Sequence, residues 1–268
     1  MNTCSGIWFI REGIGLSDSS VLKINDLSYS FPSEKKEIFQ NLSIDVKKGE
    51  FVSVIGASGS GKSTLFKLIT GLLEPDQGQI WINDKLAERR LGKVGFMPQK
   101  DLLLPWRSVI DNVSLPLELT KENKKQRLIE INEWLSRFGL GGYENAYPHE
   151  LSGGMRQRVA FLRTLMTRRD LLLLDEPFGA LDSLTKRKMH RWLLELWGDL
   201  KKTVLFITHD LEEAILLSDR IYLLSSTESE PIQEMKIKLP RPRSSELIYQ
   251  SEFIAMRKEL ECLIQDEG

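Results

Sequence analysis

Apolar and polar residues alternate from Val21 onward. Val21-Leu22-Lys23-Ile24 and Leu27-Ser28-Tyr29-Ser30-Phe31 make a first strand pattern, with Pro32-Ser33 turning the chain. Leu42-Ser43-Ile44-Asp45-Val46 alternates in the same way and stops at Lys48-Gly49-Glu50. Phe51-Val52-Ser53-Val54-Ile55 is apolar almost throughout, the pattern of a strand covered on both faces. It runs into a Gly/Ser-rich loop, then a helix over residues 62–72 closed by Glu74-Pro75-Asp76-Gln77-Gly78. Over residues 108–168 the period turns helical, marked by Val113, Leu117, Ile129, Trp134, Leu135 and Phe138. Strand and helix then alternate again: strand 171–174, helix 184–200, strand 203–207, helix 211–217, strand 220–224. This order predicts an α/β fold with a mostly parallel sheet covered on both faces, interrupted by a helical subdomain. Beyond Ser225 the pattern predicts a strand over 234–239, then Pro240-Arg241-Pro242-Arg243. A last helix follows, whose Phe253, Met256, Leu260 and Leu263 share a face that packs on its own domain.

Composition narrows the function classes. Lys plus Arg is 37 and Asp plus Glu 38, a net charge of -1, so the basic excess of a nucleic-acid binder is missing. Lys186, Arg187, Lys188 and Arg191 make a local basic run, read as a solvated helix face. Cys4 and Cys262 lie far apart and outside any CxxC pair, which argues against a disulfide framework or zinc site and fits a reducing compartment. No apolar run approaches the roughly 18–20 residues of a membrane span. Residues 1–20 lack the basic start and long apolar centre of a signal peptide and are expected to be a flexible extension, so a cytoplasmic location is expected.

Gly56-Ala57-Ser58-Gly59-Ser60-Gly61-Lys62-Ser63 fits GxxxxGK[ST], with a strand before it and a helix, entered through Thr64, after it. The glycines let successive backbone N–H groups face a polyphosphate, and the helix N-terminus adds partial positive charge. Lys62 is suited to the β- and γ-phosphates and the Ser63 hydroxyl to Mg²⁺. A phosphate loop alone leaves GTPase, kinase and ATPase open.

Asp175-Glu176 ends a buried strand. An acidic residue at such a tip holds Mg²⁺, a role that fits Asp175, and Glu176 would face the γ-phosphate side as general base. Ser152-Gly153-Gly154 starts a helix, which suits either anion binding or simple N-capping by Ser152.

The phosphate loop, Ser152-Gly153-Gly154, Asp175-Glu176, Ala180-Leu181-Asp182 and Thr208-His209-Asp210 stand in the order of the ABC-transporter ATPases, a family that the chain resembles from about residue 21 onward. The resemblance implies a P-loop NTPase core with an antiparallel β subdomain and a helical subdomain at about 100–168 within an ATPase domain over 21–225. Residues 226–268 then form a C-terminal strand-and-helix extension. ATP with Mg²⁺ is the implied ligand. By the same resemblance Tyr29 stacks on adenine, with Phe31 the substitute candidate. Gln99 contacts Mg²⁺ and the attacking water, Glu176 is the catalytic base, His209 bonds the γ-phosphate, and Asp182 crosses a dimer interface. Ser152-Gly153-Gly154 closes over the ATP of a second copy. Met155 stands where many members carry Gln, which puts any contact of that side chain in doubt.

Such a subunit works with an integral membrane permease at the cytoplasmic face and indirectly with a solute-binding protein. Three machines fit: an importer, an exporter or lipid-extraction motor, and a non-transport ATPase on DNA or ribosomes. The third usually carries coiled-coil arms, zinc modules or paired motors, which this sequence lacks. Leu102-Leu103-Leu104-Pro105-Trp106 after Gln99 reads as an apolar lip for a partner helix. Together with Leu239-Pro240-Arg241-Pro242-Arg243, it resembles the importer branch that serves nitrate, sulfonate and taurine, whose relatives also serve pyrimidine precursors of thiamine.

Overall fold

A computed structural model describes residues 19–31, 37–119, 123–200, 202–225 and 232–265. Nearly all of the extension expected over 1–20 falls outside these residues, as does the Pro32-Ser33 turn.

Two sheets organise the chain. Ser20–Ser30 (β1) and Glu37–Lys47 (β2) pair antiparallel, and Phe51–Gly56 (β3) then enters the second sheet. Lys62–Thr70 (α1) leads back to Gln77–Ile82 (β4) and Lys85–Leu86 (β5), giving a four-stranded antiparallel sheet of order β2-β1-β4-β5. Gly95–Met97 (β6) is followed by the helices Val109–Glu118 (α2), Lys124–Arg137 (α3) and Gly153–Leu165 (α4). Next come Leu171–Asp175 (β7), Ser183–Leu200 (α5), Thr203–Ile207 (β8), Leu211–Leu217 (α6) and Arg220–Leu224 (β9). Gln233–Lys236 (β10) and Ser251–Gln265 (α7) complete the chain. The second sheet has the order β10-β9-β3-β8-β7-β6, parallel except for β10. The fold is therefore α/β with one parallel-rich and one antiparallel sheet.

β3, β7 and β8 are buried over Phe51–Ile55, Leu171–Asp175 and Thr203–Ile207, as an apolar run covered on both faces requires. Their C-terminal ends, where Gly56, Asp175 and His209 emerge, lie side by side through the β3–β8 and β8–β7 registers. Proximity of the motifs thus follows from strand order. The helices between β6 and β7 close over the same sheet: Val113, Leu135, Phe138 and Leu162 are buried in one cluster with Leu172, Leu174 and Phe206. Arg220 ties the two sheets, its Nε 2.6 Å from Glu50 Oε1 and its Nη2 donating to Asp45 O at 2.7 Å.

Some boundaries differ from expectation. The strand pattern expected over 21–31 is one strand, β1, which ends at Ser30 and is bent by bulges on either side of Leu27 and Tyr29. β4, β5 and β6 were not expected. β10 ends at Lys236, short of the expected 239, with the Ile237 N–H still donating to Asp219 O in the same register. The apolar face of α7 packs at home, with Phe253 and Leu260 buried beside Ala214 and Ile215 of α6.

Candidate functional site

The turn between β3 and α1 depends on two glycines. A Cβ on Gly56 would stand 2.4 Å from Leu224 O, so only glycine lets the loop leave β3 against the end of β9. Gly61 caps α1 at φ 89°, in the left-handed region, where a Cβ would strike Ile38 and Phe39 of β2. Ala57, Ser58 and Gly59 are exposed and Ser60 is buried. Ser63 and Thr64 follow in the first turn of α1.

Lys62 is folded over this loop. Its Nζ donates to Gly56 O at 2.8 Å and to Ala57 O at 2.7 Å. Burial pulls its ammonium below the ordinary lysine value, against the upward pull of Glu176 and Asp175. Ser63 Oγ donates to Asp175 Oδ1 at 3.4 Å, so hydroxyl and carboxylate face each other across the strand ends. Burial pushes the Asp175 carboxyl above its usual range; the Ser63 hydroxyl opposes this, and the Glu176 charge adds to it.

Glu176 follows β7 with φ 44°, a conformation that non-glycine residues rarely adopt. Its N–H donates to Ile207 O at 2.9 Å and its carbonyl accepts from Gly179 N at 3.1 Å, which holds the strained residue in place. Glu176 Oε2 accepts from Gln99 Nε2 at 3.1 Å and lies 3.3 Å from His209 Nδ1. The His209 side chain is 60% exposed, so its other nitrogen is open to a ligand. Lys62, Ser63, Gln99, Asp175, Glu176 and His209 therefore meet around one space.

Ser152-Gly153-Gly154 stands elsewhere. Ser152 Oγ accepts from Met155 N at 3.3 Å as the N-cap of α4, and positions for a Cβ on Gly153 and Gly154 lie against Leu181 and Thr185. Among the described residues no hydrogen bond joins this segment to the phosphate loop. The Met155 side chain packs partly against the helical core, a use that a glutamine amide would not serve. Asp182 caps α5, accepting from Leu184 N at 3.1 Å and Thr185 N at 3.0 Å.

Two readings need correction. Tyr29 is 5% exposed and packed in the core of the antiparallel sheet, so its ring offers no free face for stacking. The half-buried aromatic at this strand end is Phe31, edge-on to Tyr29 at 5.3 Å and continuous with the pairing of Ser30 to Glu37 beside the β2 residues that touch Gly61. Phe31 packs against the same cluster as Tyr29 but lies just past the end of β1, where it is less covered. The basic run 186–191 is likewise not one solvated face: Lys186 turns inward, 2.8 Å from Asp210 Oδ2 and 3.0 Å from Glu213 Oε1, while Arg187, Lys188 and Arg191 stay exposed.

The residues fit Mg²⁺ in chemistry: a hydroxyl, a carboxylate and an amide are hard-oxygen donors, and no cluster of three or more His, Cys, Asp or Glu suggests another metal among the described residues. The exposed loop backbone and the retractable Lys62 ammonium suit a polyphosphate.

The family described as ABC transporter matches residues 39–179. The formylaminopyrimidine import ATP-binding protein ThiZ of Halalkalibacterium halodurans is 44% identical over 250 residues, covering 92% of this chain and 98% of the relative. The aliphatic sulfonates import ATP-binding protein SsuB of Bacillus cereus is 40% identical over 225 residues, covering 83% of this chain and 88% of the relative. A solved dimeric structure of an ATP-binding cassette in a post-hydrolysis state, bound to ADP and Pi, superposes with a TM-score of 0.70 at 31% identity, covering 82% of this chain and 100% of that one.

Proposed function

The chain belongs to the ABC transporter family and is an ATPase, and we propose that it energises uptake of a small solute through a separate membrane permease. The observation that carries the reading is the convergence of Gln99 and His209 on the Glu176 carboxylate, next to Lys62, Ser63 and Asp175. Lys62 exchanges its loop carbonyls for the β- and γ-phosphates, joined by backbone N–H groups of Gly59, Gly61 and Lys62, while the Ser60 N–H donates to Ala57 O at 3.2 Å. Phe31, in place of Tyr29, supplies the surface for adenine. Ser63, Asp175 and Gln99 would hold Mg²⁺, which would supply charge neutralisation at the phosphate oxygens. Glu176 accepts a proton as the water oxygen bonds to the γ-phosphorus and the bond to the ADP oxygen breaks; His209 steadies the departing phosphate.

Separation of Ser152-Gly153-Gly154 from its own phosphate loop supports a shared site, in which each segment closes over ATP held by a second copy. The test is Glu176→Gln. This variant should bind ATP, lose hydrolysis by about 10²–10⁴-fold, and elute as a dimer only with nucleotide. Near-normal turnover would overturn the assignment of the base.

The permease reading draws on Leu102 and Trp106, 58% and 72% exposed beside Gln99, while Leu103 is buried. Among the described residues no helix is long and apolar enough to cross a membrane, so the membrane part would come from another chain at whose cytoplasmic face this one sits. By likeness to the formylaminopyrimidine relative, the solute is proposed to be a pyrimidine precursor of thiamine, delivered by a solute-binding protein; a sulfonate-, nitrate- or taurine-like anion is the second reading. Thermal stabilisation of the co-purified binding protein by formylaminopyrimidine, and not by taurine or nitrate, is the expected result. Recovery of an exporter-type permease would remove the importer.

A further inference from the structure

A buried polar cluster lies behind His209, and the chemistry assigned above makes no use of it. Glu213, on the first turns of α6, is 2% exposed. Its Oε1 takes Lys186 Nζ at 3.0 Å and His190 Nε2 at 2.7 Å, and its Oε2 accepts the Thr208 hydroxyl. Thr208 Oγ1 in turn accepts from Asp210 N at 3.0 Å. Asp210 caps α6 through Glu212 N and Glu213 N, and its second oxygen takes Lys186 Nζ at 2.8 Å. Both chain neighbours of His209 are thereby bonded into one cluster, while its own side chain extends 3.3 Å from Glu176. His190 also packs edge-on against Phe178, two residues after Glu176, at 5.4 Å between ring centres.

Burying such a cluster is a poor route to stability. Desolvation of the carboxylate and the ammonium offsets most of their attraction, and apolar residues of the same shape would hold the two helices together as well. What the cluster supplies is direction. Four side chains from α5, α6 and the strand end fix the backbone at Thr208 and Asp210, which narrows the directions open to the intervening imidazole.

We propose that Lys186, His190, Thr208 and Glu213 are positioning residues for ATP hydrolysis, which hold His209 against the reacting centre through Thr208 and Asp210. The proposal rests on the role of His209 in the reading above. None of the four touches the nucleotide. Their loss should lower turnover and leave ATP affinity unchanged.

The experiment measures steady-state ATPase activity, binding of a fluorescent ATP analogue and melting temperature for Thr208→Val, Thr208→Ser, Glu213→Gln, Lys186→Met and Lys186→Arg in the full chain. It includes His209→Ala and the double variant His209→Ala with Thr208→Val. Thr208→Val is nearly isosteric and should cut kcat at least tenfold with KM and analogue affinity within twofold, while Thr208→Ser, which keeps the hydroxyl, should stay within threefold of the parent. Lys186→Arg should rescue what Lys186→Met loses. In the His209→Ala background Thr208→Val should do nothing further, because the group being aimed is gone. Full activity of Thr208→Val and Glu213→Gln alongside an inactive His209→Ala would overturn the positioning role alone. An active His209→Ala would overturn the reading of His209 itself. Parallel losses of kcat, affinity and melting temperature, unrescued by Ser or Arg, would reduce the cluster to packing.

Discussion

Gln99 donates its side-chain amide to the Glu176 carboxylate at 3.1 Å, across 77 positions of sequence and from the segment that carries the exposed Leu102 and Trp106. The bond restrains the oxygen that must accept a proton, and a hydrogen bond to a charged carboxylate is worth about 1.5–3 kcal/mol. Gln99→Ala should therefore lower kcat about 10–100-fold, less than Glu176→Gln, because the base remains while it loses its guide and one proposed holder of Mg²⁺. Steady-state ATPase measurements on both variants check this. A Gln99 variant as inactive as the Glu176 variant would make the amide essential to the chemistry.

Ionising Asp175 comes at a cost to the fold. Burial and the neighbouring Glu176 raise its folded pKa above the unfolded value near 4, so its contribution to stability is present below that value and is lost as pH rises through the raised one. At neutral pH the charged carboxylate destabilises the ligand-free protein. Asp175→Asn should melt at or above the parent temperature at pH 7.5, and the gap should close as pH falls toward 4. The same variant should lose about 10–100-fold of the tightening that Mg²⁺ gives to ATP binding. Thermal scans across pH and nucleotide titrations with and without Mg²⁺ read both effects. A drop in melting temperature at neutral pH would contradict the sign.

Phe31 and Tyr29 should separate by phenotype. Base–aromatic stacking is worth about 1–3 kcal/mol, so Phe31→Ala should weaken ATP binding by about tenfold or more with little change in melting temperature. Tyr29→Ala empties a core position and should cost about 3–5 kcal/mol of stability while bound nucleotide is held as before. Binding and denaturation measured on the same preparations distinguish the two rings.

That pair also marks where reading the sequence stops. The phosphate loop, Asp175-Glu176 and Thr208-His209-Asp210 are contiguous motifs at the ends of apolar strands, so period and local chemistry suffice to find them. Tyr29 and Phe31 lie two apart and pack against the same cluster, but Tyr29 is inside β1 and buried while Phe31 lies just past its end and is half-buried, a difference that period alone does not encode. β5 and β6 have two and three residues, too few for any period to register. Lys186 sits in a run of charges that looks solvated, and only the crossing of α5 and α6 pairs it with Glu213, 27 positions on. No local pattern encodes that crossing.

Arg243 ties the C-terminal segment to α6. Its guanidinium is buried and donates to Ile215 O at 3.2 Å, Leu216 O at 3.3 Å and Leu239 O at 3.0 Å, and also to Ser218 O. Burial pulls its pKa down to about 10, which leaves it charged at neutral pH. Arg243→Met keeps the stem and strands these carbonyls at the end of a buried helix, a loss of about 3 kcal/mol or more. Melting should fall by roughly 5–10 °C. Arg241→Ala, which removes a partly exposed ion pair with Asp219, should cost well under half of that.

Trp106 tests the link from motor to membrane. Its side chain is 72% exposed, and neighbouring Leu102 is held outward at φ 45° by Arg163, whose Nη1 donates to Leu102 O at 2.8 Å. A strained residue and a large exposed ring gain nothing for this chain alone, whereas a partner helix seated there would cover both. Trp106→Ala should leave the ATPase rate and melting temperature of the isolated subunit near those of the parent. In the assembled transporter it should weaken retention of the permease and lower solute uptake at least tenfold, since a buried aromatic anchor at an interface is worth about 2 kcal/mol or more. Pull-down of the permease and uptake in reconstituted vesicles measure the two. Equal loss of isolated ATPase activity and uptake would mean that Trp106 supports the subunit's own fold, and unchanged uptake would move the docking surface elsewhere.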